Sequence, residues 1–207
     1  MKLRQFLHWF QNTFWYHYKW HTIGVLGGIA LVAFSVASVL GREIPDFKYI
    51  LVADGFAGDT YIEWTDLATE RLADLNGDGQ VIVHGMALGF SNSEMGMASR
   101  IKFQAELTND ELLVLVLDEA TLTDLGYMVE SGDFLMPLSD LGLPSLPDSP
   151  WLMRVDPPPS LESLGAVRDF YLCVRALTPE KRADPEIWVH YEQAIAFANM
   201  LWEMNQP

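Results

Sequence analysis

The 207 residues are enough for one well-packed domain with an appendage, and a hydrophobic content of 50% excludes a disordered chain. Charge is distributed very unevenly along the sequence. Residues 1–42 contain four basic and no acidic residues, whereas residues 43–207 contain nine Lys and Arg against all 28 Asp and Glu, a formal charge of −19. Because so acidic a surface repels phosphate backbones, the sequence predicts no nucleic-acid partner.

An apolar run of 18 residues without charge, 23–40, follows the basic start of the chain. As a helix it is about 27 Å long, which is close to the hydrocarbon thickness of a bilayer. Lys2, Arg4 and Lys19 precede this run and all the acidic residues follow it, so the positive-inside rule predicts a cytoplasmic N-terminus and an extracellular main domain. We therefore predict a single-pass protein of the cell membrane.

The residues before the apolar run are rich in aromatic side chains. Phe6, Phe10, Phe14 and Tyr18 recur every four residues, as on one face of a helix at the headgroup level. The predicted organisation is an interfacial helix over 1–22, a transmembrane helix over 23–41 and an extracytoplasmic domain over 43–207. A cleavable signal peptide is the alternative, since Ser35 to Ala37 offer small residues for cleavage.

Strand and helix signals alternate after residue 43. Short apolar runs predict strands at 48–53, 80–84 and 112–117, with a helix after each of the first two; Ser91 and Ser93 are candidate caps of the second helix. Prolines exclude regular structure over 137–159, and two helices are expected to close the sequence, at about 161–177 and from Asp184 onward. This order predicts an α/β fold, a doubly wound, mainly parallel sheet with flanking helices.

The single cysteine, Cys173, excludes an intramolecular disulfide and a zinc cluster built on thiolates. It lies among apolar residues in the first of the two closing helices. We therefore expect a buried, unreactive thiol.

A further signal comes from the order of features over residues 102–143. A helix and turn lead to an apolar strand with Asp at its far end, and a helix, a Gly and a "PL-x-DLG" segment follow; they fall at Leu107, 112–117, Asp118, Gly132 and 137–142. This order resembles the first lobe of extracellular solute-binding proteins of the type 2 periplasmic-binding fold. The resemblance covers roughly residues 48–143 and implies that the domain binds a small solute. Such proteins close two lobes over a ligand, whereas this sequence has room for one.

Ligands of doubly wound sheets bind beyond the carboxyl ends of the strands. The residues predicted at those ends are Asp54, Gly55 and Phe56 after the first strand, His84 after the second and Asp118 after the third. The carboxylates favour a hydroxyl-rich or cationic ligand. The alternative is that these residues are ordinary caps and turns.

The stretch DLNGDGQVIV, residues 74–83, resembles a calcium-binding loop. Asp74, Asn76 and Asp78 occupy the first, third and fifth positions of such a loop, Gly79 its sharp turn and Gln80 the position that offers a carbonyl oxygen. The twelfth position is Gly85 instead of Glu, so another carboxylate must complete the sphere. A structural calcium site and a simple polar turn both remain open.

The sequence has no nucleophile elbow, no zinc-protease motif and no phosphate-binding loop, so we predict that the protein is not an enzyme. The predicted function is a single-pass membrane protein that displays a solute-binding-like half domain. It would bind a small solute or a protein partner outside the cell. The alternative is a structural accessory subunit of a membrane protein assembly with no small-molecule ligand.

Overall fold

The computed structural model describes residues 16–40, 44–54, 61–91, 93–126, 133–157 and 169–205. The chain divides into two compact units, Met1–Glu43 and Ile44–Pro207.

The first unit contains helix α1, Tyr16–Leu40. Within it the 20 residues Tyr18–Ala37 are long and apolar enough to cross a membrane or to serve as a signal sequence. The apolar helix predicted from the sequence is therefore present. Its orientation and the retained anchor stay predictions, and the aromatic residues before Tyr16 lie outside the described residues.

The second unit alternates strands and helices over most of its described length. Its elements are β1 (Phe47–Asp54), α2 (Ile62–Arg71), β2 (Val83–Phe90), α3 (Glu94–Glu106), β3 (Val114–Asp118), α4 (Glu119–Asp124), a 3-10 helix (Leu138–Leu141), β4 (Met153–Val155), β5 (Phe170–Val174), α5 (Pro179–Arg182) and α6 (Pro185–Met204). The prediction of a mixed α/β domain is confirmed.

The five strands form one sheet in the order β2-β1-β3-β5-β4. β1 pairs in parallel with β2 and with β3, whereas β5 runs antiparallel to both β3 and β4. Four of the five strands therefore point in the same direction, which agrees with a mainly parallel sheet.

The sheet is covered on both faces, because alternate residues of the central strand β1 belong to two different apolar clusters. Tyr49 and Leu51 pack with residues of α2 and α6, whereas Ile50 and Val52 pack with Phe103 of α3. β3 is buried along its whole length. Its continuous apolar sequence is what a strand between two helical layers requires.

Three predictions about local structure are wrong. The second strand runs from Val83 to Phe90 instead of over 80–84, and Phe170–Val174 is a strand where a helix was predicted. Both faces of β5 are buried, so its apolar residues show neither the helical nor the strand period. Such a run can form either a helix or a strand, and only the presence of a neighbouring strand determines which one forms. The proline-rich segment also contains a 3-10 helix and the short strand β4.

Candidate functional site

A crevice of about 190 Å³ lies at the carboxyl ends of β1, β2 and β3. The chain passes from β1 to β2 on one side of β1 and then crosses to β3 on the other side of β1. Such a reversal of direction leaves a gap between the loops at the carboxyl ends of the strands. The residues lining the crevice are Asp54, Phe90, Ser91, Arg100, Ala120, Thr121 and Asp124.

Asp118 fixes the geometry of this end of the sheet. It is 1% exposed and is the N-cap of α4. Its Oδ1 accepts a hydrogen bond from the Thr121 backbone N–H at 2.8 Å, and its Oδ2 accepts one from the Asp54 N–H at 2.9 Å. The carboxylate therefore ties the last residue of β1 to the first turn of α4, and both of these residues line the crevice.

Opposite charges meet inside the crevice. The Arg100 guanidinium of α3 lies 2.6 Å from an Asp124 carboxylate oxygen at the end of α4 and stacks 4.5 Å from the centre of the Phe90 ring. Both charged side chains are substantially exposed, so this ion pair contributes little to folding and can exchange its partners with a ligand. With Asp54, the described residues that line the crevice supply two carboxylates and one guanidinium.

The Thr121 hydroxyl has no hydrogen-bond partner among the described residues, although Thr121 is 1% exposed. An unpaired buried hydroxyl costs about 1–3 kcal/mol. Thr121 is also one of the residues that line the crevice.

The predicted ligand residues are only partly brought together. Asp54 and Asp118 meet at the crevice, whereas Gly55 and Phe56 lie outside the described residues. The predicted position of His84 at a carboxyl end is wrong, because His84 is the second residue of β2 and pairs with Lys48 near the start of β1. It therefore lies at the opposite end of the sheet.

The glycines of β2 explain this error. The sequence GMALG, residues 85–89, suggests a loop, yet a Cβ atom at Gly85 would lie 2.7 Å from the Tyr49 hydroxyl oxygen. Glycine is thus required at this point of the strand by the close approach of a buried tyrosine.

Sequence analysis also missed Arg100, Thr121 and Asp124. They lie on two helices and no sequence motif connects them. The one signal in the sequence is helical spacing, which places Arg100 on the same side of α3 as the buried Phe103 and therefore toward the sheet.

The loop 74–80 is folded by its own polar side chains. Asp74 accepts hydrogen bonds from the N–H groups of Gly77 and Gly79 at 2.7 and 2.8 Å, and Asn76 accepts one from Asp78 at 2.8 Å. Asp78 in turn accepts one from the Gln80 N–H at 2.8 Å. Both glycines have positive φ values, of 73° and 86°, as tight turns demand.

A residue that sequence analysis did not single out, Asp46, holds this loop against β1 and β2. It is 2% exposed. One carboxylate oxygen accepts hydrogen bonds from the N–H groups of Leu75 and Asn76 at 2.8 and 3.1 Å, and the other accepts one from Ile82 at 2.8 Å. Within the described ranges no group of three or more His, Cys, Asp and Glu side chains is arranged to hold a metal ion. Calcium binding by residues 74–80 stays a prediction.

Cys173 lies in β5 and is fully buried, as expected. Burial raises the pKa of its thiol to about 12. The thiol is therefore protonated at neutral pH and does not act as a nucleophile.

No protein-family model, no curated protein and no solved structure matches this chain significantly. The resemblance to solute-binding proteins therefore stays a prediction from the sequence.

Proposed function

We propose that this protein is a membrane-anchored binding module whose α/β domain takes a small ligand in the crevice at the carboxyl ends of β1, β2 and β3. The observation that carries the proposal is the buried Thr121 hydroxyl, which lacks a partner in the described part of the chain and lies in a crevice that contains an exchangeable ion pair. Buried polar groups normally find partners, so an orphan in a concave site indicates a ligand.

The charges of the crevice favour a ligand with hydroxyl groups or a positive charge. Asp54 and Asp124 can accept hydrogen bonds from such groups, while Arg100 can donate to a ligand oxygen. The predicted extracellular location and the resemblance to solute-binding proteins support a small solute as the ligand. Catalysis is not part of the proposal.

The winding of the chain as a doubly wound sheet, with helices placed in turn on both faces, also remains a prediction.

The test is a thermal-shift screen of the detergent-solubilised full chain against sugars, polyols and amines. A ligand present at 100 times its Kd stabilises the fold by about 2.7 kcal/mol. We expect a stabilising compound whose effect disappears in Thr121→Val and in Arg100→Ala but persists in Lys102→Ala, which alters the exposed side of α3.

Thr121→Val also separates binding from folding. The substitution removes the orphan hydroxyl, so the ligand-free variant should be at least as stable as the natural chain. A screen in which no compound raises the melting temperature, or in which Thr121→Val retains the full shift, contradicts the proposal.

A structural accessory subunit is the second candidate. Apolar side chains on α3, Met95 at 77% and Ile101 at 69% exposure, favour contact with a protein instead of a small molecule. A stable protein partner recovered from membranes, together with a negative ligand screen, would favour this function.

A further inference from the structure

The side of α3 that points away from the sheet is exposed and partly apolar. Gly96 and Phe103 are the buried residues of this helix, whereas six others are exposed within an arc of about 120° on an ideal helix. We call these six residues the α3 face: Glu94, Met95, Ala98, Ile101, Lys102 and Ala105. The face does not take part in the proposed ligand crevice, and Arg100 points to the other side of the helix.

The charges of the α3 face have no ion-pair partner in the described part of the chain. Five other cations of the acidic domain each make an ion pair there: Lys48, Arg71, Arg100, Arg154 and Lys181. Lys102 and Glu94 make none, although both are exposed. Two opposite charges are thus left available on one helix surface.

The spacing of these residues is self-complementary. Ala98 lies four positions from both Glu94 and Lys102, and three positions from both Met95 and Ile101. A two-fold axis through Ala98 therefore brings Glu94 against Lys102 of the partner subunit and Met95 against Ile101 of the partner subunit. Symmetry repeats both contacts, and Ala98 at the crossing allows the two helices to approach closely.

We propose that the α3 face is an antiparallel docking surface for a second copy of this chain. Charge complementarity supports this occupant. Because the domain has a formal charge of −19, two copies repel each other wherever acidic surfaces meet, so self-association requires a surface without excess negative charge. The α3 face is locally neutral, with one Lys and one Glu, and antiparallel pairing places each charge opposite its complement. This self-association goes beyond the proposed ligand binding and does not depend on it.

The first test is disulfide crosslinking of the full chain in lipid nanodiscs or mild detergent with an Ala98→Cys variant. At an interaxial distance of about 10 Å, facing Cα atoms lie about 5 Å apart, within the range of a disulfide. The natural Cys173 does not interfere, because it is fully buried. We expect a covalent dimer with Ala98→Cys and none with the matched control Gln104→Cys, an exposed position of α3 outside the face.

The second test reverses the charges in the Ala98→Cys background. Lys102→Glu and Glu94→Lys should each lower the yield of covalent dimer about tenfold, because like charges then face each other. Mixing the two charge variants, tagged to differ in size, should restore a covalent dimer of mixed composition. A loss caused by misfolding would not be rescued in this way.

Three results would overturn the proposal. They are equal crosslinking of Ala98→Cys and Gln104→Cys, a crosslink that Lys102→Glu does not weaken, and capture of a different protein by the Ala98→Cys variant in native membranes. The last result would assign the α3 face to another partner.

Discussion

Replacing Asp46 by Ala should destabilise the domain strongly, although Asp46 is not part of the crevice. Its carboxylate accepts three backbone hydrogen bonds, from Leu75, Asn76 and Ile82. A hydrogen bond to a charged group contributes about 1.5–3 kcal/mol when both partners are removed from water. Because none of the three donor residues is fully buried, water can partly replace the carboxylate, and we expect a total loss of about 3 kcal/mol.

A loss of this size should lower the melting temperature by about 6–12 °C for a chain of this length. The measurement is denaturant unfolding of the natural chain, Asp46→Ala, Asp46→Asn and Asp148→Ala. Asp148 is exposed and has no described partner, so its variant removes one negative charge without a hydrogen bond. Asp46→Asn keeps one acceptor oxygen and should fall between the control and Asp46→Ala. If Asp46→Ala lost less than about 1 kcal/mol relative to the control, the carboxylate would not be what holds the loop.

Three further predictions concern the predicted calcium loop of residues 74–80, the Cys173 thiol and the buried Arg175 guanidinium. If residues 74–80 bind calcium, millimolar calcium should raise the melting temperature relative to chelator, and Asp78→Ala should abolish the difference; no shift in the natural chain would make the stretch a turn only. Burial raises the pKa of Cys173 from 9.0 to about 12, so the folded state keeps a proton that the unfolded state loses between these values. The Cys173 thiol should therefore lower stability by about 1.4 kcal/mol per pH unit in that window, in addition to the effect of the tyrosines whose pKa burial also raises. Cys173→Ala should show a slope smaller by this amount, and equal slopes in the two chains would contradict the raised pKa of the thiol. The Arg175 guanidinium, whose pKa is lowered by burial, donates to the carbonyl oxygens of residues 107, 109 and 112 at 2.7–3.0 Å. Arg175→Leu should cost about 3 kcal/mol in unfolding experiments, and a loss within 0.5 kcal/mol of zero would show that water replaces these bonds.

Helix beginnings could be predicted well because their signals are local. Ser93 caps α3 through a hydrogen bond from the Gly96 N–H, and Asp184 caps α6 before Pro185, as the sequence indicates. Pro185 fixes the first turn of α6, and the short polar side chains satisfy free backbone donors. Neither effect depends on the rest of the fold.

Features that depend on distant parts of the chain could not be predicted. Phe170–Val174 is a strand because it pairs with β3, more than 50 positions away in the sequence. Trp188 and Trp202 fall at helical spacing on one apolar side of α6, yet these side chains remain more than one-third exposed while Phe197 and Leu201 are buried. The sheet, and not the helix period alone, decides which arc of the helix is covered.

The candidate site shows the same division. The ends of β1 and β3 could be located from apolar runs, so Asp54 and Asp118 are predicted together, whereas the end of β2 could not be located in this way. Arg100 and Asp124 come from two helices whose meeting depends on how α3 and α4 pack, and this information is absent from local spacing. The residues at the strand ends could therefore be predicted, whereas the residues of α3 and α4 that form the opposite wall of the crevice could not.

The position of β5 has a consequence for biosynthesis. β5 is inserted between β3 and β4, yet its residues are made about 50 positions after those of β3. At 5–20 residues per second a ribosome needs roughly 3–10 s to supply them. During that interval the backbone N–H and C=O groups on one edge of β3 have no strand to pair with, and an open edge of this kind pairs readily with other chains. The nascent domain is therefore most vulnerable to aggregation after its first three strands have been made, in a time window set by the length of the proline-rich segment and the residues that follow it.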